Sequence, residues 1–317
     1  MISKQLRQQW KEEYSKEWFQ FIFDNHELKW NYNELSQNPN MTLEIVKNNQ
    51  GHNWNYDYLS ENPNITFDIV KNNPQIPWYY ANLSANPNIT WEIVKNNPQI
   101  WWDNLCLSSN PNITWEIVKN NPQIPWSYGN LSLNPNITFD IVKNNPDKPW
   151  YYGGLTDNPN ITWDIVKDNP QIEWNYYYLS ANPNITWEII RNNPQIPWDY
   201  NNLSSNPNIT WEYVQNNPDK NWSYWLLSFN PNITWEIVHN NPNKPWNYDS
   251  LSKNPNITWE IVKNNPQINW SYNSLSQNRM TKGFNDYMKK KEELYNTAYK
   301  IIDRYTNSDI AEMIMSI

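Results

Sequence analysis

Asn182-Pro183-Asn184-Ile185-Thr186-Trp187-Glu188-Ile189-Ile190-Arg191-Asn192-Asn193-Pro194-Gln195-Ile196-Pro197-Trp198-Asp199-Tyr200-Asn201-Asn202-Leu203-Ser204-Ser205 is one complete copy of a 24-residue unit that repeats on both sides of it without a gap. Copies begin at Asn38, Asn62, Asn86, Asn110, Asn134, Asn158, Asn182, Asn206, Asn230 and Asn254. Before them, Tyr14 to Gln37 keeps the second half of the unit (Trp30, Asn31, Tyr32, Leu35, Ser36). Its first half is an apolar run, Trp18-Phe19-Gln20-Phe21-Ile22-Phe23, so it reads as an eleventh, divergent opening unit. A period of this length marks an array in which no unit can bury its apolar face alone. A surface, rather than a pocket, is the expected seat of function.

Counted from the first Asn, position five is Thr in all ten clean copies and positions six to ten follow Trp-Glu-Ile-Val-Lys. Threonine is a good N-cap, an acid follows in the first turn and a base usually stands three residues later, as in Glu92 and Lys95. A helix of roughly two turns is expected here, ended by Asn-Asn-Pro. A second short element starts after the Trp at position seventeen. Position eighteen is Asn, Asp or Ser in nine of eleven units (Asn31, Asn55, Asp103, Ser127, Asn175, Asp199, Ser223, Asn247, Ser271), again the signature of an N-cap. With few residues before the next Ser-x-Asn-Pro, the spacing predicts a single α or 3₁₀ turn. Strand-like alternation is absent.

Trp at position seventeen and Leu at position twenty-two occur in every copy and should form the continuous core, with positions four, six, eight and nine as the opposite wall. The Asn residues at positions one, three, eleven and twelve are expected to ladder between units. The fold class that follows is all-α: a solenoid of eleven 24-residue repeats, each a short α-helix plus an α/3₁₀ turn, with helical caps. Its parts are residues 1–37 (N-terminal cap and divergent first repeat), 38–277 (ten tandem repeats) and 278–317 (C-terminal helical cap). In the last part, Tyr287, Leu294, Ala298, Ile301 and Ile302 share one helical face, and a short final helix is expected from Ser308. Eleven units stacked at roughly 8–10 Å would extend about 100 Å.

A mean hydropathy of −0.93 and 24 Pro hint at disorder, but 22 Trp and 21 Tyr supply the aromatic mass that disordered chains lack. The net charge of −8, with no basic stripe, argues against nucleic-acid binding. One cysteine, Cys106, excludes an internal disulfide framework. The charged N-terminal stretch does not read as a signal peptide and no apolar run approaches 18 residues, so a soluble, cytoplasmic protein without membrane contact is expected. The recurring Asn-x-Thr sequons, such as Asn64-Ile65-Thr66, are then helix starts rather than glycosylation sites.

No catalytic or metal-binding constellation emerges. His26, His52 and His239 fall at different repeat positions, Cys106 stands between two leucines, the repeated acids are identical helix-start residues, and five Gly make no phosphate loop. Neither a cofactor nor an enzymatic activity is expected.

Positions twenty, twenty-one and twenty-four vary most between copies, so packing leaves them free; they should form one exposed stripe. On it, Trp225, Leu226 and Phe229 cluster in one unit and Tyr177 and Tyr178 in another, while Trp101 replaces the Pro of position sixteen in a third. Contiguous Trp and Tyr with apolar neighbours make an interaction hot spot, and these six are the candidate partner-binding residues. The expected role is a non-enzymatic scaffold that binds another protein through this stripe. The alternatives are a structural or virion-associated protein that self-associates, and a carbohydrate-binding module built on Tyr and Trp beside Asn and Asp.

The Asn-Pro-Asn-Ile-Thr-Trp-Glu-Ile-Val core and the Pro-Trp-x-Tyr-x-x-Leu-Ser second half, over Asn38 to Gln277, resemble the repeat proteins encoded in multiple copies by giant DNA viruses of amoebae, mimivirus-like. That resemblance implies a binding scaffold in the host cytoplasm or the virion. More loosely, the length and the two Asn-Pro breaks are similar to leucine-rich variant repeats, which alternate α and 3₁₀ helices. The Trp-x-Tyr of Trp198-Asp199-Tyr200 departs from that pattern, and without an N-terminal cysteine cluster no iron–sulfur site carries over.

Overall fold

The threonine at position five caps a six-residue α-helix in each clean unit: Thr186 Oγ1 accepts from the N–H of Ile189 at 3.4 Å, and only Thr138 and Thr210 lack the bond. The Asn, Asp or Ser at position eighteen caps the second element in all nine units that carry it, as Asp199 does for Asn202 N at 2.7 Å. In the two other units Tyr79 and Tyr151 provide no cap bond. That second element is α-helical rather than 3₁₀, six residues long in most units and four at Tyr200–Leu203 and Tyr272–Leu275. The computed structural model describes residues 2–304, and among them there are 23 helices and no strand. The expected helix from Ser308 lies outside the described residues, as do the side chains of Ile301 and Ile302.

The leucine at position twenty-two is fully buried in every unit, and the tryptophan at seventeen is buried in all but the unit of Trp222, where it is half-buried. Each such leucine contributes roughly 1.5–3 kcal/mol. Each Trp indole donates to the carbonyl of its own position-twelve Asn, as Trp198 does to Asn193 at 3.0 Å, while that Asn's amide closes its own helix on Ile189 O at 2.8 Å. Position twelve therefore serves its own unit, and position eleven is solvent-exposed; neither makes the repeating ladder expected of it. Positions one and three do. Asn206 Nδ2 donates to the carbonyl of Ser180, at the end of the unit before last, and to those of Asn182 and Ile185 in the preceding unit, at 2.9, 3.0 and 3.1 Å, and Asn208 Nδ2 to Pro183 and Ile185. A buried amide with every donor used is worth about 1 kcal/mol per bond and is costly to leave half-satisfied. The position-twenty-three serine adds a third link, donating to Tyr200 O and accepting from Ser223 N of the next unit through Ser204 Oγ.

All three ladders continue from the last unit into the first. Asn31 N donates to Ser276 Oγ at 2.9 Å, Asn38 Nδ2 to the Ser276 and Asn278 carbonyls at 3.0 and 2.9 Å, and Asn40 Nδ2 to Arg279 O at 2.9 Å. The array is a closed ring. The expected rod of about 100 Å with capped ends is thereby corrected: the same length becomes a circumference. The opening unit lacks an Asn-Pro-Asn-Ile turn because residues Asn278-Arg279-Met280 supply one from the other end of the chain. Asn278 makes the standard bonds to Ser252, Asn254 and Ile257, and Met280 stands at the third, Asn, position of the turn, its N–H donating to Asn278 Oδ1 and its side chain fully buried.

Met280 then turns with φ 51°, a left-handed conformation that costs a methionine roughly 1–2 kcal/mol, and launches the helix Thr281–Arg304. Tyr14 holds that turn by donating to Met280 O at 3.1 Å, and burial pushes its phenol well above the usual range, so it stays a donor. Gly283 permits the approach, since a Cβ there would come within 2.5 Å of the Tyr14 hydroxyl. The helix Lys4–Asp24, whose last turns serve as the first helix of the opening unit, pairs antiparallel with Thr281–Arg304 through Arg7–Glu292, Lys291–Glu13 and Trp10 against Tyr295. Leu294 of the expected apolar face is exposed instead.

Candidate functional site, the inner wall of the ring

Successive second helices pack directly on one another, whereas the first helices stand further apart with the Trp or Phe of position six wedged towards the next unit's Trp, as in Trp163 and Trp198 at 5.4 Å. In a closed ring the more closely spaced track lies at the smaller radius. The second helices therefore line the lumen. Eleven of them at ~8–10 Å close a circle roughly 30 Å across between axes, which leaves a lumen of roughly 20 Å after subtracting a helix's own thickness.

Leucine twenty-two and serine twenty-three point into the core, so positions twenty, twenty-one and twenty-four are left on the lumen side. The variable stripe is thus a circular lining. Trp225 (60% exposed), Phe229 (47%) and the half-buried Leu226 come together on the wall of one concavity of about 760 Å³. Ser205, Asp249, Lys253, Gln277 and Arg279 line its remainder. Tyr177 and Tyr178 form an edge-to-face pair at 5.2 Å, one unit removed from this concavity. Between them stand Asn201 and Asn202, and Asn202 Nδ2 is committed to Tyr177 O at 3.0 Å. Trp101 is separate: though 70% exposed, it lies on the turn between a first and a second helix, outside the lumen-facing positions.

Sequence reasoning picked the aromatic residues of the stripe and passed over its charges. Glu34 and Glu61 line a second lumen concavity of about 480 Å³ together with Pro39 and Pro63, and share Arg279 and Gln277 with the first. Arg279 was legible only as part of a decayed repeat; it is the chain closure that brings it between the two. Asp249 accepts from Ser274 Oγ at 2.5 Å, and the hydroxyls of Ser271 and Ser274 hold its carboxyl below the usual range, so it is a fixed negative charge. Leu105 and Leu133, on the same stripe, are also exposed. Among the described residues no group of three or more His, Cys, Asp or Glu side chains converges, and no helix is long and apolar enough to cross a membrane.

No protein-family model, curated protein or solved structure matches the chain.

Proposed function

We propose that the ring is a non-enzymatic scaffold that holds another protein in its lumen, with Trp225, Leu226 and Phe229 as the principal contact and Tyr177 and Tyr178 as a second. The supporting observation is the 760 Å³ concavity: three large apolar side chains left uncovered on a concave wall, rimmed by Asp249, Lys253 and Arg279. Apolar centres with polar rims are what protein interfaces use, and a helical-repeat frame supplies the rigidity that keeps such side chains preorganised.

Closure weighs against filament-like self-assembly, because both solenoid ends are consumed by each other. Sugar recognition is disfavoured by the amides nearest the aromatics, since Asn82, Asn130 and Asn202 each donate to a backbone carbonyl of the preceding unit. On the same reading the protein works in the host cytoplasm or the virion, as its resemblance to giant-virus arrays implies.

The test is site-specific crosslinking in a host-cell lysate with a photoreactive residue at Phe229, beside the same probe at Lys95 on an outer helix. A protein captured only from the lumen position, and lost when Trp225 and Leu226 are changed to Ser, is the expected result. Identical capture from both positions would defeat the reading.

A further inference from the structure

The lumen lining is not uniform around the ring. The opening unit and its successor contribute Glu34, Asp57 and Glu61 to the lumen positions, whereas the units from Leu105 to Phe229 contribute mostly apolar groups with a few neutral polar ones, and Asp157 is their one charge. In an eleven-unit ring, the boundary between the first two units lies across the lumen from Tyr177 and Tyr178. An acidic arc thus faces an apolar arc. Across all the lumen positions the acids are Glu34, Asp57, Glu61, Asp157 and Asp249, against Lys253 and, at the seam, Arg279.

From this arrangement we infer the class of partner: a cationic amphipathic α-helix, seated along the lumen with its apolar face on the arc from Tyr177 to Phe229 and its Lys or Arg face towards Glu34, Asp57 and Glu61. The inference rests on the reading of the lumen as a protein-binding surface and adds the chemistry of what enters it. An α-helix with side chains is about 10–12 Å across, so it fits a lumen of roughly 20 Å once the tryptophan and tyrosine side chains project inwards. Such a helix carries apolar and basic groups on opposite faces, and the ring presents their complements on opposite walls. Arg279 is the single cation in the concavity of Glu34 and Glu61, so a uniformly apolar partner would desolvate an excess of negative charge there, and an acidic one would be repelled by it.

The full chain can be titrated against three fluorescein-labelled 18-residue peptides: a Leu/Phe/Lys amphipathic helix, the same helix with Glu in place of every Lys, and a scrambled Lys peptide of the same composition without an apolar face. Anisotropy should show the amphipathic Lys peptide binding at least tenfold more tightly than either control. Trp225→Ser with Phe229→Ser should weaken it at least tenfold. Glu34→Gln, Asp57→Asn and Glu61→Gln together should weaken it and flatten its dependence on salt between 50 and 300 mM (about a doubling of screening). The outer-helix set Glu92→Gln, Glu116→Gln and Glu188→Gln should leave it unchanged, which removes unspecific attraction to an acidic protein as the cause. Equal binding of the Glu or the scrambled peptide, or indifference to the three lumen-acid substitutions, overturns the inference. Protein binding in the lumen would survive that result if the Phe229 probe still captured a partner.

Discussion

The ring of Tyr272, in the last unit, meets the indole of Trp30, in the first, at 5.1 Å and 73°. The same edge-on contact joins Tyr128 to Trp150 and Tyr200 to Trp222, in each case a position-nineteen Tyr to the Trp of the following unit. The first unit therefore follows the last as any unit follows its predecessor, and the seam repeats the internal junctions in aromatic packing as well as in hydrogen bonding.

Closure makes a prediction about Asn38. In an open array its amide would face solvent and Asn38→Ala would be almost neutral; in the ring it donates to two carbonyls beyond the seam, as Asn62 does to Ser36 and Asn38. Asn38→Ala and Asn62→Ala should then lose similar stability, about 2–4 kcal/mol each, as buried carbonyls are left unpaired. Urea denaturation of the two variants measures the difference. Truncation after Gln277, which removes Asn278-Arg279-Met280, should open the ring and raise the radius of gyration seen by small-angle scattering.

The period, both caps and the core positions were legible because each rests on local chemistry repeated in every copy: a Thr or Asx side chain three residues before a free N–H, and a Trp and Leu that never vary. Curvature was not. It follows from a rotation of roughly 30° per unit, set by how closely the second helices approach relative to the first, and no single residue type encodes that. Yet a hint of closure stood at the ends. Tyr14 to Gln37 lacks the Asn-Pro-Asn half-unit and Asn278-Arg279-Met280 is a half-unit without a successor; they are complementary fragments of one repeat. In the candidate site, the aromatic residues were readable as unusual occupants of free positions, but their grouping with Asp249, Lys253 and Arg279 depends on which way the stripe curves.

Trp198 and Trp225 separate the frame from the surface. Trp198 is buried, tied to Asn193 O and packed on Trp163, so Trp198→Ala should cost about 3–5 kcal/mol as a cavity-forming truncation. Trp225 is largely exposed, and Trp225→Ala should change stability by no more than about 0.5 kcal/mol. Paired denaturation curves decide it: a comparable loss in both would place Trp225 in the core and remove it from the lumen surface.

Cys106 faces the lumen side of its helix but should be a sluggish thiol. Burial, and then the hydrogen bond and charge of Asp103, push it up to about 11 from an ordinary 9.0, so at pH 8 the thiolate fraction is roughly a hundredfold below that of a free cysteine. Reaction with an aromatic disulfide reagent at pH 8 should be slower than with a cysteine peptide by about tenfold, because the stronger nucleophilicity of the higher-pKa thiolate offsets part of its scarcity. Asp103→Asn should speed it, at the cost of a weaker cap for Cys106 N.

His52 gives the ring a pH dependence on its acid side. The imidazole is sandwiched between Phe23 at 5.2 Å and Tyr32 at 4.7 Å, with Trp54 edge-on to it. Burial, followed by the neighbouring charge of His26, lowers its pKa below the ordinary 6.5. The unfolded chain then binds a proton at a higher pH than the folded one. The contribution of His52 is therefore complete above about pH 6.5 and declines as the pH falls towards the lowered folded value. Between pH 7 and pH 5 the denaturation midpoint of the wild type should fall more than that of His52→Ile, which restores the residue most other units carry here and leaves nothing to protonate. Midpoints that fall in parallel would mean that the sandwich does not resist protonation of this histidine.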